Sequence, residues 1–435
     1  MVNCYRLVLA LMLFNITTNC FSQTLPAANA KRLEARIIKL AEISAKTDQD
    51  ADRVAYSVDD IAGRDYVMQL MRVASLQVRI DTAGNIIGRR AGLNNDLPPI
   101  MFGSHTDSVP SGGKYDGPAG VFAAIEVIDL LNEASITTQH PLEVIVFSNE
   151  EGGLIGSLAL TGHLKPSALD VVSQSGLTIR DGINAIGGDS DNLSSAQLSP
   201  GDISAFVELH IEQGAILDQT NTNIGVVEGI VGIGWWDINL TGVTNHAGTT
   251  PMDARNDAML AAAELTIAVN QAATSITGSQ VATVGRIKAF PGAPNVIPGK
   301  VEMSLEIRDL NQDVIDKVFI DIKQRAAKIS QESGVAITFT PIDVASPPAP
   351  TDTRIRNIIS AAAQQHQLSY RQMPSGAGHD AQDMVKLAPT GMIFVPSRKG
   401  ISHAPEEFTS AVDLANGSDV LASTILAIDS SHFSQ

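Results

Sequence analysis

The stretch Gly103–Gly120, GSHTDSVPSGGKYDGPAG, decides how this chain is read. Ahead of it Ile100-Met101-Phe102 is a short apolar run that predicts a buried strand. Behind it Val121 to Leu131 is apolar at helical spacing, so His105, Asp107 and Asp116 fall in a glycine-rich loop between strand and helix. In open α/β sheets, such loops at strand carboxyl ends are where ligands bind. A second apolar run, Leu142–Phe147, also ends in polar residues, Ser148 through Glu151. One imidazole and four carboxylates at the ends of two neighbouring strands repel one another unless something holds them together. Metal cations are the simplest agent.

A chain of 435 residues is long for one core, which predicts two domains. Its composition (44% hydrophobic, 4% aromatic, 35 Gly, 20 Pro) is that of a soluble globular enzyme. A formal net charge of −17 argues against non-specific binding to nucleic acid or anionic membranes. Arg6 precedes the apolar run Leu7–Phe14, too short to span a bilayer, and polar residues follow. Residues 1–22 read as an export signal, with cleavage after Ser22; Cys20 raises lipoprotein processing as an alternative, but Thr18 and Asn19 match it poorly. Both cysteines, Cys4 and Cys20, lie in this segment, so the exported protein has neither disulfides nor thiolate ligands. A metal site must then use His and carboxylates.

Downstream, Leu33–Ile43 and Ala62–Val73 read as amphipathic helices, Gln77–Ile80 and Ile86–Arg89 as strands, and Ala205–Leu209 as a strand ending in His210. From about Val231 the pattern changes to strand Trp235–Leu240, helix Asp253–Ala272, strands Val281–Ala289 and Val301–Arg308, helix Val314–Ser330 and strand Val335–Thr340. That β-α-β-β-α-β order predicts a small split βαβ sandwich. The expected fold class is therefore α/β: a catalytic domain in two parts, 30–230 and 348–435, with a ferredoxin-like domain, 231–347, inserted between them.

Of the nine histidines, His105, His210, His246, His379 and His403 sit beside glycine, carboxylate or amide residues in loop-like contexts. His140, His163, His366 and His432 have polar neighbours and no partner motif, which fits solvated surface positions. His105-x-Asp107 has the spacing of a metal-ligating imidazole with a carboxylate behind it, and equally of a turn-capping Asp beside a half-buried His. Asp116 before Gly117-Pro118 reads either as a ligand or as a helix N-cap. The Glu150-Glu151 pair is more specific: adjacent carboxylates after an apolar strand suit a metal ligand next to a general base, against the alternative of a solvated acidic loop.

The ordered motifs GSHTDSVPSGGKYDG, FSNEEGG, ELHIEQG, TNHAGTTPM, PNVIPG, EIRD, GAGHDAQ and ISHAPEE resemble one family. It is that of the dinuclear metal amidohydrolases that cleave N-carbamoyl-L-amino acids, allantoate and β-ureidopropionate. These form a branch of the zinc exopeptidases that includes carboxypeptidase G and the aminoacylases. The resemblance runs from about Leu33 to the C-terminus.

The resemblance implies a metallo-exopeptidase catalytic domain whose inserted domain serves as lid and dimerisation module. It implies two divalent ions, zinc first, with manganese, cobalt or nickel as alternatives. His105 would bind one ion together with Glu151 and His403, Asp116 would bridge both, and His210 would complete the second, with Asp107 behind His105 and Glu150 as general base. Gln213, Asn295, Arg308 and His379 would bind substrate, Arg308 as the clamp on its carboxylate. His246 would stabilise the oxyanion from the partner subunit of a homodimer.

The implied substrates are small ureido acids, with no nucleic acid or membrane partner after export. An aminoacylase or dipeptidase on the same scaffold is the alternative enzyme, and a non-catalytic binding protein the alternative class. One departure touches the pocket: Gly152-Gly153-Leu154-Ile155 follows Glu151, where the family commonly has an Arg-Phe pair.

Overall fold

The computed structural model describes residues 25–44, 52–342 and 346–431, so the segment read as an export signal, both cysteines and His432 lie outside the described residues. Four wholly buried parallel strands form the centre of a nine-stranded sheet: Leu142–Phe147, Ile100–His105, Ala205–Ile211 and Thr390–Val395. Their near-continuous apolar sequences are what a strand covered on both faces requires. Antiparallel strands Ile86–Arg90 and Gln77–Ile80 extend one side. On the other side Ile224–Ile230 pairs with Thr390–Val395, Tyr370–Ser375 and Ala349–Pro350.

One face of this sheet is covered by helices Ala30–Ser44, Pro118–Glu133, Thr353–Gln365 and Ala411–Ser430, which share the largest apolar core with it. The last is long and apolar enough to cross a membrane, but half of its apolar window is buried against the helices beside it. Leu160, Ala381 and Met384, among other residues, cover the opposite face.

A second sheet, with its own core, is formed within residues 232–341. Its antiparallel order places Lys300–Asp309 between Ile287–Phe290 and Gly232–Thr241, with Ala336–Pro341 at the far side of the latter. Helices Ala258–Thr274 and Gln312–Ser333 pack on one face through alternating residues such as Ile238, Leu240, Met303 and Leu305. This is the split βαβ order expected from the sequence.

The structure corrects the expected elements in detail. The predicted strand 281–289 is two strands, Val281–Thr283 and Ile287–Phe290, both paired with Lys300–Asp309. The helix expected from Asp253 starts at Ala258, because Asp257 caps it through the backbone N–H groups of Met259 and Leu260. Strand Ile224–Ile230, with glycines at 225 and 229, was not anticipated.

Candidate metal and catalytic site

The candidate residues gather at the carboxyl ends of the four central parallel strands. His105 is the last residue of its strand and His210 the penultimate residue of the next. Glu150 and Glu151 follow Phe147, and His403 lies in the loop after Val395. Parallel pairing therefore gathers residues nearly 300 positions apart.

Asp116 is the centre. Its Oδ1 lies 3.2 Å from His210 Nε2 and 3.8 Å from His105 Nε2. Its Oδ2 lies 3.2 Å from His403 Nε2, which is 3.6 Å from Glu151 Oε2. The ligand atoms thus form two groups that share Asp116: His105 with His210, and Glu151 with His403. This corrects the division expected from the sequence, which had put His105 with Glu151 and His403.

Glycine makes this geometry possible. Gly117 has φ +78°, and a Cβ there would stand 2.5 Å from the His105 ring. The helix starts at Pro118 with Gly117 as its cap, so Asp116 is left out of capping.

Asp107 lies behind His105 and also braces the next loop. His105 Nδ1 bonds the backbone carbonyl of Asp107 at 3.0 Å, while the carboxylate stands 3.6 Å away. That carboxylate accepts the backbone N–H groups of Glu150 (3.3 Å) and Glu151 (3.1 Å). Asp107 therefore couples the first loop to the second. His210 Nδ1 bonds the carbonyl of Ile211 at 2.9 Å, which leaves Nε2 as the free lone pair.

Other supporting residues carry no expected role in the sequence reading. Glu407 accepts the backbone N–H groups of Tyr115 (2.8 Å) and Asp116 (3.0 Å), and Ser402 Oγ lies within hydrogen-bond distance of both Glu407 and Asp116, with one proton for either. A Cβ on Gly113 would stand 2.1 Å from Glu407 Oε1, so glycine there admits this carboxylate. Glu208 accepts from Ser104 Oγ and the Ala381 N–H; these bonds account for its place beside His210 and His379. Asp380 is fully buried, and neither carboxylate oxygen has a hydrogen-bond partner. Glu407 and Glu208 stood in the quoted ISHAPEE and ELHIEQG motifs, which was the available signal.

The electrostatics follow from crowding. Burial first, then Asp380, Glu151 and Asp107, raise the Glu150 pKa well above the usual carboxyl range. Burial and Asp116 push Glu151 up to about 7. Burial opposes the charged form of His105, yet Glu150 and Asp107 outweigh it and raise its pKa well above normal. The hydrogen bond to Asp116 is the chief reason His403 is pushed up to about 9. His210 Nε2 and Glu151 Oε1 are buried without a hydrogen-bond partner. His210 Nε2 lies 3.2 Å from Asp116 Oδ1 without a hydrogen bond to it, and His105 Nε2 is close to the same oxygen. Divalent cations fit this donor set, since imidazole and carboxylate suit zinc and its neighbours.

Asn149, Gln213 and His403 also adopt positive φ, at +50°, +56° and +54°. Left-handed backbone in residues other than glycine is uncommon and gathers at functional sites.

The remaining predicted residues are placed unevenly. Gln213 is at the cluster, its Nε2 donating to Asp116 Oδ2 at 2.7 Å. His379 is buried beside His210, ring centroids 4.4 Å apart, with Nε2 bonded to Ser375 Oγ at 2.8 Å. Burial and the neighbouring His210 hold its pKa well below the usual imidazole value. Arg308, on the second sheet, reaches this loop through Nη1 and the carbonyl of Gly376 at 2.6 Å. His246 and Asn295 are exposed and come together through the two-stranded pairing of Asn245–His246 with Val296–Ile297. Among the described residues, no hydrogen bond or ion pair joins them to the cluster. His246 Nδ1 accepts the N–H groups of Gly248 and Thr249, which places the ring proton on Nε2.

Parallel sheet, shared carboxylate and adjacent glutamate define a hydrolase built for divalent cations. Residues 101–427 match peptidase family M20/M25/M40, and the chain belongs to that metal-dependent family. It is 39% identical over 404 residues to the N-carbamoyl-L-amino acid amidohydrolase of Geobacillus stearothermophilus, covering 91% of this chain and 97% of that one. It is 37% identical to the ureidoglycolate hydrolase of Arabidopsis thaliana over 92% of this chain and 86% of that one. A crystal structure of an amidase of the hydantoinase/carbamoylase family from Burkholderia multivorans superposes with a TM-score of 0.86 at 34% identity, covering 93% and 99% of the two chains.

Proposed function

We propose that this chain hydrolyses the linear amide C–N bond of small ureido acids, N-carbamoyl-L-amino acids first among them. The products would be the amino acid, ammonia and carbon dioxide. The observation that carries the reading is Asp116, with each oxygen facing its own ligand group, and Glu150 buried beside them. His105, His210 and Asp116 would hold one divalent ion, and Asp116, Glu151 and His403 the other, zinc being the metal that best suits such ligands. Bound there, the ions supply Lewis-acid polarisation of the carbonyl and acidification of the attacking water.

The chain's own residues do the rest. Glu150 takes a proton from the attacking water on its carboxylate and returns it to the leaving nitrogen. Arg308 binds the substrate carboxylate with its planar fork, Asn295 and His379 contact the same polar end, and Gln213 faces the reacting group. His246, with its proton on Nε2, donates to the oxyanion.

We propose that His246 does so across a homodimer, with the 231–347 segment closing over substrate as a lid. Met259, Leu260 and Ile267 on helix Ala258–Thr274, and Val281 and Ile287 on the strands beside it, are 40–59% exposed, an apolar surface that supports a second copy as its cover. Light scattering should give twice the chain mass; a monomer at working concentration removes this part. Export after cleavage at Ser22 is proposed as well, and N-terminal sequencing of the exported protein tests it.

The activity test compares ammonia release from N-carbamoyl-L-amino acids with amine release from N-acyl amino acids and dipeptides, using enzyme loaded with defined metals. Preference for the carbamoyl compounds is expected. Preference for acyl or peptide substrates would make the enzyme an aminoacylase or dipeptidase.

A further inference from the structure

Arg308 does not stand alone on its sheet. Glu306, two residues earlier on the same strand and face, accepts Arg308 Nε–H at 2.7 Å on Oε1 and Nη2–H at 3.3 Å on Oε2. Trp235, directly opposite Glu306 in the strand register, donates its indole N–H to Glu306 Oε2. On its other side Arg308 donates through Nη1 to Gly376, at the head of the loop that carries His379.

A guanidinium has five N–H groups in a rigid plane. Glu306 occupies two and Gly376 one. That leaves two for a ligand, one on each terminal nitrogen. A cavity of about 250 Å³ lined by Trp235, Thr283, Arg286 and Ser304 lies against Glu306. The carboxylate has room to turn away into it, and the indole N–H is what holds it toward the arginine.

We propose that Glu306, pinned by Trp235, is a positioning residue that aims Arg308 at the His379 loop, so that carboxylate recognition depends on all three side chains. The inference rests on the reading of Arg308 as the clamp for the substrate carboxylate. Its physical basis is preorganisation: an arginine fixed before binding has less rotamer freedom to lose when the ligand arrives.

The test is a double-mutant cycle on the metal-loaded full-length enzyme, with Glu306→Ala, Arg308→Ala and the pair, read as KM and kcat for an N-carbamoyl amino acid. Glu306→Ala should raise KM roughly tenfold, the scale of ordering one long side chain, with kcat near wild type. Once Arg308 is already alanine, removing Glu306 should cost nothing more. Trp235→Phe should raise KM in the same direction by less. Glu306→Gln serves as a second variant if the alanine variant fails to fold.

If Arg308→Ala raises KM but Glu306→Ala does not, or if the two losses multiply independently, the positioning role is wrong while the clamp stands. If Arg308→Ala leaves KM unchanged, the clamp reading falls and this inference falls with it.

Discussion

The Asp116 cluster and the group formed by His246, Asn295 and Arg308 are held in opposite ways. His105 and His210 are 1% exposed and Asp116 4%; each stands at the end of a fully buried strand or is gripped by Glu407, Ser402 or Gln213. His246 and Asn295 are exposed on a two-stranded ribbon, and Arg308 lies half-buried on the open face of a second sheet. The reactive groups other than His403, which is exposed, are thus fixed by the core, while His246, Asn295 and Arg308 sit on a separate sheet or ribbon. Rigid placement suits metal ligands and a base, which need their geometry before substrate arrives.

The largest expected effect comes from breaking the shared point of the rigid half. Asp116→Ala should abolish turnover and release both ions, whereas His210→Ala and His403→Ala should each lose one, as metal analysis of the purified variants will show. Equal losses from the two histidine variants and Asp116→Ala would deny the shared carboxylate. Next, Glu150→Gln should lower kcat by about 10²–10⁴-fold with metal content intact. Intact turnover would mean that the base lies elsewhere.

The recognition half is tested by His246→Ala, which should lower kcat by about 10²–10³-fold if it donates to the oxyanion. Mixing this variant with Glu150→Gln should restore activity, because each mixed dimer has one complete site. If mixing restores nothing, His246 does not act across a dimer.

The smallest effect is expected outside both halves. Asp352 caps helix Thr353–Gln365 through the backbone N–H of Arg354 at 2.7 Å, and Asp352→Ala should cost about 1 kcal/mol of stability. Burial raises the Asp352 pKa, but the bonds from Arg354 outweigh it and hold the carboxyl below its usual value. A depressed carboxyl pKa stabilises above the unfolded value and loses that contribution as pH falls through the folded value. The difference in denaturation midpoint between wild type and variant should therefore shrink in acid and persist at neutral pH. A gap that stays constant into acid would deny that contribution.

Part of the rigid half was legible in the sequence, because His105, the Glu150-Glu151 pair and His210 follow apolar runs read as strands, while the full ligand set, His403 included, came from the family resemblance. What could not be read was how the ligands divide, since that depends on which strands are neighbours: His105 and His210 end adjacent parallel strands, and no spacing along the chain reveals it. The left-handed backbone at Gln213 and His403 was equally hidden, because neither residue type calls for it. In the second sheet the order of elements was clear from periodicity. The break between Thr283 and Ile287 falls on Val284-Gly285-Arg286, and Gly285 was its available signal.

The most direct test of the central claim is a metal analysis joined to activity: ions per chain in purified enzyme, then turnover of an N-carbamoyl-L-amino acid after chelation and after restoring zinc. Two ions per chain, loss of turnover on their removal and recovery on their return are expected. Full turnover by protein stripped of divalent ions would contradict the account.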